Sequence, residues 1–266
     1  MGKRADRRYL RDVAYAEPSG FMARVGLYDY QQPRIDIIAE ALEALGPIDG
    51  RVVGDVGCGN GRYVDALRAV GARVIGVDLS PGMLAGVSPP RSSLLTADAQ
   101  SLPLASESLD AVLMMHMLYH VPDPERAVGE AARVLRTGGQ VLVATNGARH
   151  LAEMNALWLP LLERAGIRGN LEDVGLVNPR LTAGTAQEHL GAHFEEVSER
   201  WLRSSVVVTD AAPVIRHAAS TTGAQVVGEH RDALLREFAA EIDEQIRRDG
   251  QFGVTTEVVF LSATKP

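Results

Sequence analysis

Residues Asp55-Val-Gly57-Cys-Gly59-Asn-Gly61 place an acid and three alternating glycines behind a short apolar run, Arg51–Val56. Glycine lets a backbone approach a ligand closely and adopt conformations closed to other residues. In an open α/β sheet, a loop at the carboxyl end of the first strand faces the ligand. A dinucleotide-binding pattern needs Gly-x-Gly-x-x-Gly, so its third glycine would fall at Arg62; here it falls one position earlier, at Gly61. The acid two residues before Gly57 would repel a pyrophosphate and attract an ammonium group.

Two more acids follow at strand ends. Asp78 lies 21 residues after Gly57 and closes the run Arg73–Val77. That spacing suits a carboxylate accepting from ribose hydroxyls; the plain alternative is a solvated strand-end acid. Asp98 follows the run Leu94–Ala97, where it could accept an exocyclic amine of adenine or simply form a turn. The nearly continuous apolar run Leu109–Met115 leads into His116, Tyr119 and His120. Histidine titrates near neutral pH, so these are candidates for moving a proton. His116 is the first candidate base, or else a pocket-lining residue acting through its backbone. His120 precedes Val121-Pro122 and could instead orient its loop. His150 is a further imidazole, or a solvated helix residue. Cys58 reads as a small loop residue, not a nucleophile.

The surrounding pattern supplies the scaffold. Apolar spacing predicts helices over 34–45, 61–70 and 151–165, a short one near 83–86, and two more over 210–220 and 230–248. Asp123-Pro124-Glu125 starts another helix. Its periodic positions run through Val134 and Leu135, and Gly138-Gly139 is expected to stop it. Short apolar runs predict strands at 51–56, 73–77, 94–97, 109–115 and 140–145, strand-like stretches within 194–208, and a closing strand at 254–263. Strands alternating with helices imply a doubly wound, mostly parallel sheet of α/β class, with helices on both faces. Residues 1–33 show no clear period but hold Tyr9, Tyr15, Phe21, Tyr28 and Tyr30.

Composition narrows the partners. The chain has 266 residues, 46% apolar and 23% charged, with net charge −7 and only two lysines, Lys3 and Lys265. No basic footprint for nucleic acid is visible. One cysteine excludes an internal disulfide and a cysteine zinc site, so no metal is expected, and a cytoplasmic setting is. The charged start, Met1–Arg8, lacks the apolar run of a secretory signal, and no window is long and apolar enough for a membrane span.

Five segments, in order, resemble the class I S-adenosylmethionine-dependent methyltransferases of the small-molecule branch: Asp55–Gly61, Val77–Met83, Ala97–Pro103, Leu109–Leu113 and Arg133–Val143. The resemblance runs from Val52 to about Thr145. It implies a Rossmann-like, seven-stranded sheet whose last strands are antiparallel. It also implies S-adenosylmethionine as cofactor, held by Asp55, Gly57, Cys58, Gly59, Asp78, Leu79, Met83, Asp98 and Ala99, with His116 beside it. In such a fold the loop carrying His116, Tyr119 and His120 lies beside the transferable methyl. The expected organisation is a lid over 1–33 and a methyltransferase domain over 34–266, with core 48–146 and cap insertions near 147–192 and 205–250.

Acceptor choice is expected in the lid and insertions, where Phe21, Tyr28, Tyr30, Met154, Trp158 and Trp201 could wall a pocket or serve as ordinary packing. The expected acceptor is a small organic molecule, a secondary metabolite, methylated on oxygen, nitrogen or carbon, with the protein a monomer or homodimer. Rival readings are a cyclase-type enzyme that keeps the cofactor intact, a nicotinamide oxidoreductase, and a silent cofactor-binding subunit.

Overall fold

In the computed structural model, residues 5–90, 93–167, 175–176, 180–221, 224 and 227–266 are described. Parts of the expected lid and of both cap insertions lie outside the described residues. The strands are β1 (Gln31–Gln32), β2 (Val52–Val56), β3 (Arg73–Asp78), β4 (Leu94–Thr96), β5 (Leu109–Met115), β6 (Leu135–Asn146), β7 (Glu195–Val208) and β8 (Phe252–Thr264). They form one sheet in the order β1-β7-β8-β6-β5-β2-β3-β4. The block from β4 to β6 is parallel, whereas β8 runs antiparallel to β6, β7 to β8 and β1 to β7. Strand order reverses between β2 and β5, so the loops after these two strands flank the place where such sheets bind ligands. The eighth strand, β1, is a two-residue edge piece contributed by the N-terminal segment.

Apolar residues on both faces of the parallel strands explain the layers. On β5, Ala111 and Leu113 pack under helices α3 (Ile37–Leu45) and α4 (Arg62–Ala69). Val112 and Met114 turn the other way, towards α6 (Pro124–Val134) and α8 (Ala183–Gly191). A strand covered on both sides therefore reads as a continuous apolar run. A third cluster joins α7 (Ala152–Arg164), α9 (Ala212–Ala219) and α10 (Arg231–Asp249) to the ends of β7 and β8, with Trp158 edge-on to Phe238 at 5.6 Å.

Two local expectations need correction. Helix α6 ends at Val134, not at Gly138-Gly139, because Leu135 is extended and pairs with Leu109 in the sheet. Residues 183–191, for which no element was expected, form α8, capped at Thr182 by a reciprocal pair with Thr185. The N-terminal segment is a series of short turns: α1 (Arg7–Tyr9), a π-turn over Leu10–Ala14, α2 (Pro18–Val25) and a 3₁₀ turn over Gly26–Tyr30. No helix among the described residues is long and apolar enough to cross a membrane.

Candidate functional site

The loops after β2, β3, β4, β5 and β6 open into one cavity of about 800 Å³, roofed by the N-terminal segment. Small-molecule sites occupy roughly 300–1,000 Å³. The glycine loop forms its floor. Gly57, Gly59 and Gly61 have φ of 76°, 56° and 83°, and the N–H groups of Gly57 and Cys58 both donate to Val77 O, at 2.7 and 3.0 Å. A Cβ on Gly57 would lie 2.7 Å from Met117 Cβ, so glycine is required where the loops after β2 and β5 meet. Asp78 ties this loop to the next. Its carboxylate accepts from Gly59 N–H at 2.8 Å and from Ser80 N–H at 2.8 Å. Burial pushes its pKa up against these hydrogen bonds. Leu79 and Met83 line the same region, with Met83 on the short helix α5 (Pro81–Leu84) capped by Ser80.

Asp55 sits behind the wall and not in it. Its side chain is 1% exposed, and Oδ2 has no hydrogen-bond partner among the described residues. Burial, reinforced by the charge of Asp78, pushes its pKa up to about 7. Cys58 lines the cavity but is also buried. A Cβ on Gly76 would lie 3.1 Å from Cys58 Sγ, and burial raises the thiol pKa further from reactivity. Asp98 is already engaged. It accepts from Gln100 N–H at 3.0 Å and from Gln100 Nε2 at 3.1 Å, and pairs with Arg7 at 2.8 Å. It is thus a turn-former that also holds the N-terminal segment, with Ala99 buried beside it. A close-approach glycine loop, a strand-end carboxylate with acceptor capacity left, and a buried carboxylate oxygen lacking a partner fit a ligand carrying a ribose and an ammonium group.

The loop after β5 brings its three candidates to the same cavity. His116 has φ of 55°, and its N–H donates to Ala144 O at 3.0 Å. Burial lowers its pKa to about 4, so the ring is neutral near pH 7. His120 Nε2 is 2.8 Å from Tyr15 Oη, and Tyr119 stacks edge-on to His120 at 4.6 Å. Tyr15 belongs to the N-terminal segment, so His120 joins floor to roof.

Among the expected pocket aromatics, Phe21 and Tyr28 line the cavity. Trp158 and Met154 do not; they are fully buried in the cluster under α7. Trp201 packs on the sheet and is covered by Arg203 at 4.7 Å, and Tyr30 faces outward. His150 lines the cavity and is 4% exposed, which rules out the solvated alternative. The sequence offered little signal for three more cavity residues, Arg24, His217 and Thr256. His217 follows Val214 by three positions on the apolar face of α9, where it reads as core.

The comparisons extend from the core to most of the chain. A family model described as a methyltransferase domain matches residues 54–143. The chain spans about half the length of several curated relatives it matches. It covers 76% of the ubiquinone biosynthesis O-methyltransferase of Xylella fastidiosa, at 30% identity over 195 residues, 68% of this chain. Among solved structures, phosphoethanolamine N-methyltransferase 2 of Haemonchus contortus, in complex with S-adenosyl-L-methionine, aligns with TM-score 0.52 at 20% identity, over 87% of this chain and 52% of that one. The [4+2]-cyclase SpnF aligns with TM-score 0.54 at 22% identity, over 86% and 80%. These two show a shared fold. With the glycine loop at the strand-order reversal and a relative matched over most of its length, this chain belongs to the class I S-adenosylmethionine-dependent methyltransferase family.

Proposed function

We propose that this protein transfers a methyl group from S-adenosylmethionine to a small organic acceptor, a mid-sized secondary metabolite in the cytoplasm, and that oxygen is the accepting atom. The observation that carries this reading is the single cavity joining the glycine loop and Asp78 to the histidine loop, with further space beyond. The O-methyltransferase relative favours oxygen over nitrogen or carbon. When bound, the cofactor supplies a methyl group on a sulfonium, which an acceptor atom displaces in line. Gly57, Gly59 and the Cys58 backbone allow close approach, Asp78 accepts from the ribose, and Leu79 and Met83 pack on the adenine. Asp98 and Ala99 border the adenine edge, with Asp98 exchanging its Arg7 or Gln100 partner for it. Asp55 balances the ammonium group from behind the wall. Because the leaving group is already good, the protein's main task is alignment and exclusion of water. The segment up to residue 33 acts as the lid, and the rest forms the methyltransferase domain with its two cap insertions.

The test is incubation with methyl-labelled S-adenosylmethionine and a panel of hydroxylated aromatic acceptors. The expected result is labelled product with stoichiometric demethylated cofactor. A changed substrate with intact cofactor supports the cyclase reading instead. Heat of binding with NAD but none with S-adenosylmethionine overturns the assignment.

Two further outcomes follow from the site. Cofactor affinity should fall as pH drops below about 7. Asp55 is protonated there, and an arriving ammonium favours its charged form, so binding releases a proton. The slope should approach about tenfold per pH unit and flatten in Asp55→Asn, as measured by calorimetry across pH 5.5–8.5. A base whose pKa is near 4 lies far from the optimum for proton transfer at pH 7. His116→Gln should therefore lower turnover by about tenfold, below the usual range for general bases, with cofactor affinity nearly unchanged. Full activity in that variant removes His116 from the mechanism.

A further inference from the structure

The cavity continues past the histidine loop to an end walled by Tyr28, His150, His217, Gln31 and Thr256. His150 and His217 are each 4% exposed, and Thr256 is buried. Their hydrogen bonds fix the proton positions. His150 Nδ1 accepts from Glu257 N–H at 3.1 Å, so the neutral ring carries its proton on Nε2. That Nε2–H donates to Tyr28 Oη at 3.0 Å. The phenol of Tyr28 is thereby left with its own proton to donate. His217 Nδ1 lies 3.1 Å from Arg24 O, a carbonyl that can only accept, so this ring is protonated on Nδ1. Its Nε2 presents a bare lone pair, with no partner among the described residues. The rings of Tyr28 and His217 are edge-on with centroids 6.3 Å apart. One free donor and one free acceptor therefore stand side by side in a buried wall.

Of the neighbouring charges, Glu257 is committed and Arg24 is committed in part. Arg24 Nη1 donates to Ser220 O at 2.7 Å and its guanidinium lies 5.0 Å from the Tyr15 ring centre, while Nη2 is buried with no hydrogen-bond partner among the described residues. Glu257 accepts from Arg149 N–H at 3.1 Å and faces Arg203 at 3.6 Å. The Gln31 amide donates to Thr256 Oγ1 at 3.1 Å. The cavity also has apolar lining, including Phe21, Val25, Leu151, Leu176 and Val258.

We propose that this end of the cavity is the acceptor-recognition subsite, and that it takes the hydroxylated end of an otherwise apolar, uncharged acceptor, which donates to His217 Nε2 and accepts from Tyr28 Oη–H. This rests on the reading of the cavity's other half as the cofactor site. Burial keeps both imidazoles neutral, lowering His150 to about 3 and His217 to about 4, so the subsite offers hydrogen bonds without an ion pair. A methyl ether in place of the hydroxyl would leave the buried His217 lone pair unpaired, the kind of loss that discriminates strongly between ligands.

The test uses the full chain loaded with S-adenosylhomocysteine and titrated with phenol, 2-naphthol and 2-anthracenol, each beside its methyl ether and its carboxylated analogue. At least one phenol is expected to bind about tenfold tighter than its ether, one hydrogen bond's worth. That preference should vanish in His217→Phe and survive partly in His217→Gln, which keeps an acceptor oxygen, whereas Tyr28→Phe should weaken phenol and ether alike, since an ether oxygen also accepts from Tyr28 Oη–H. S-adenosylhomocysteine affinity should be unchanged throughout, which also reports that each variant is folded. The proposal is overturned if no phenol binds, if ethers bind as well as phenols, if the preference survives in His217→Phe, if Tyr28→Phe weakens neither ligand, or if the carboxylated analogues bind tighter. Failure of S-adenosylhomocysteine to bind the unaltered chain instead overturns the cofactor reading.

Discussion

Asp78→Ala should weaken cofactor binding by about 1.5–3 kcal/mol, or roughly 10- to 150-fold, the scale of hydrogen bonds to a charged group. Asp78 does two jobs at once. One carboxylate oxygen holds Gly59 N–H and the other Ser80 N–H, each at 2.8 Å. The carboxylate thus fixes the spacing of the loops after β2 and β3, and it has lone pairs left for ribose hydroxyls. Alanine removes both roles, so the loss should exceed that of Asp78→Asn, which keeps one acceptor oxygen. Calorimetry with S-adenosylhomocysteine measures the affinities, and thermal melting without ligand separates loop loosening from lost contacts. Unchanged affinity in Asp78→Ala would refute the ribose role.

The proposed cofactor half was legible in the sequence because its physics is local. A strand covered on both faces is written as an apolar run, and its end is marked where a glycine or an acid interrupts that run, as at Gly57, Asp78 and Asp98. The proposed acceptor half was not legible because its residues meet across long stretches of chain. Tyr28 reaches His150 across 122 positions, and His217 reaches the Arg24 carbonyl across 193. Neither histidine carries a local mark separating it from a core or surface residue. The end of α6 was misplaced for a related reason: Leu135 continues the helical apolar spacing, but its backbone is taken by Leu109 on β5. Likewise, the N-terminal turns are too short to show a period. They are held by partners far along the chain, Arg7 by Asp98 and Tyr15 by His120 and Ser80.

That docking gives the second large effect. Gly82→Ala should cut turnover about 100-fold while leaving the sheet folded. Alanine is ordinarily favoured over glycine within a helix by about 1 kcal/mol, so any loss here comes from what the new methyl meets. A Cβ on Gly82 would lie 1.9 Å from Ala16 O, a backbone atom that cannot yield without moving the segment. The adjoining contacts would go with it: Ser80 Oγ donating to Tyr15 O at 2.7 Å, and Tyr15 Oη against His120 Nε2 at 2.8 Å. Displacing the roof by about 1 Å both admits water and misplaces the acceptor, and misplacement on that scale costs about 100-fold. Gly191→Ala is the control, because a Cβ there meets nothing within 4 Å. Hydrogen exchange over residues 7–25 should quicken in Gly82→Ala and not in the control, and S-adenosylhomocysteine affinity should change less than turnover. If exchange in that segment stays as slow as in the unaltered chain and turnover is retained, the roof does not depend on this contact, and alignment of the acceptor must come from the sheet side alone.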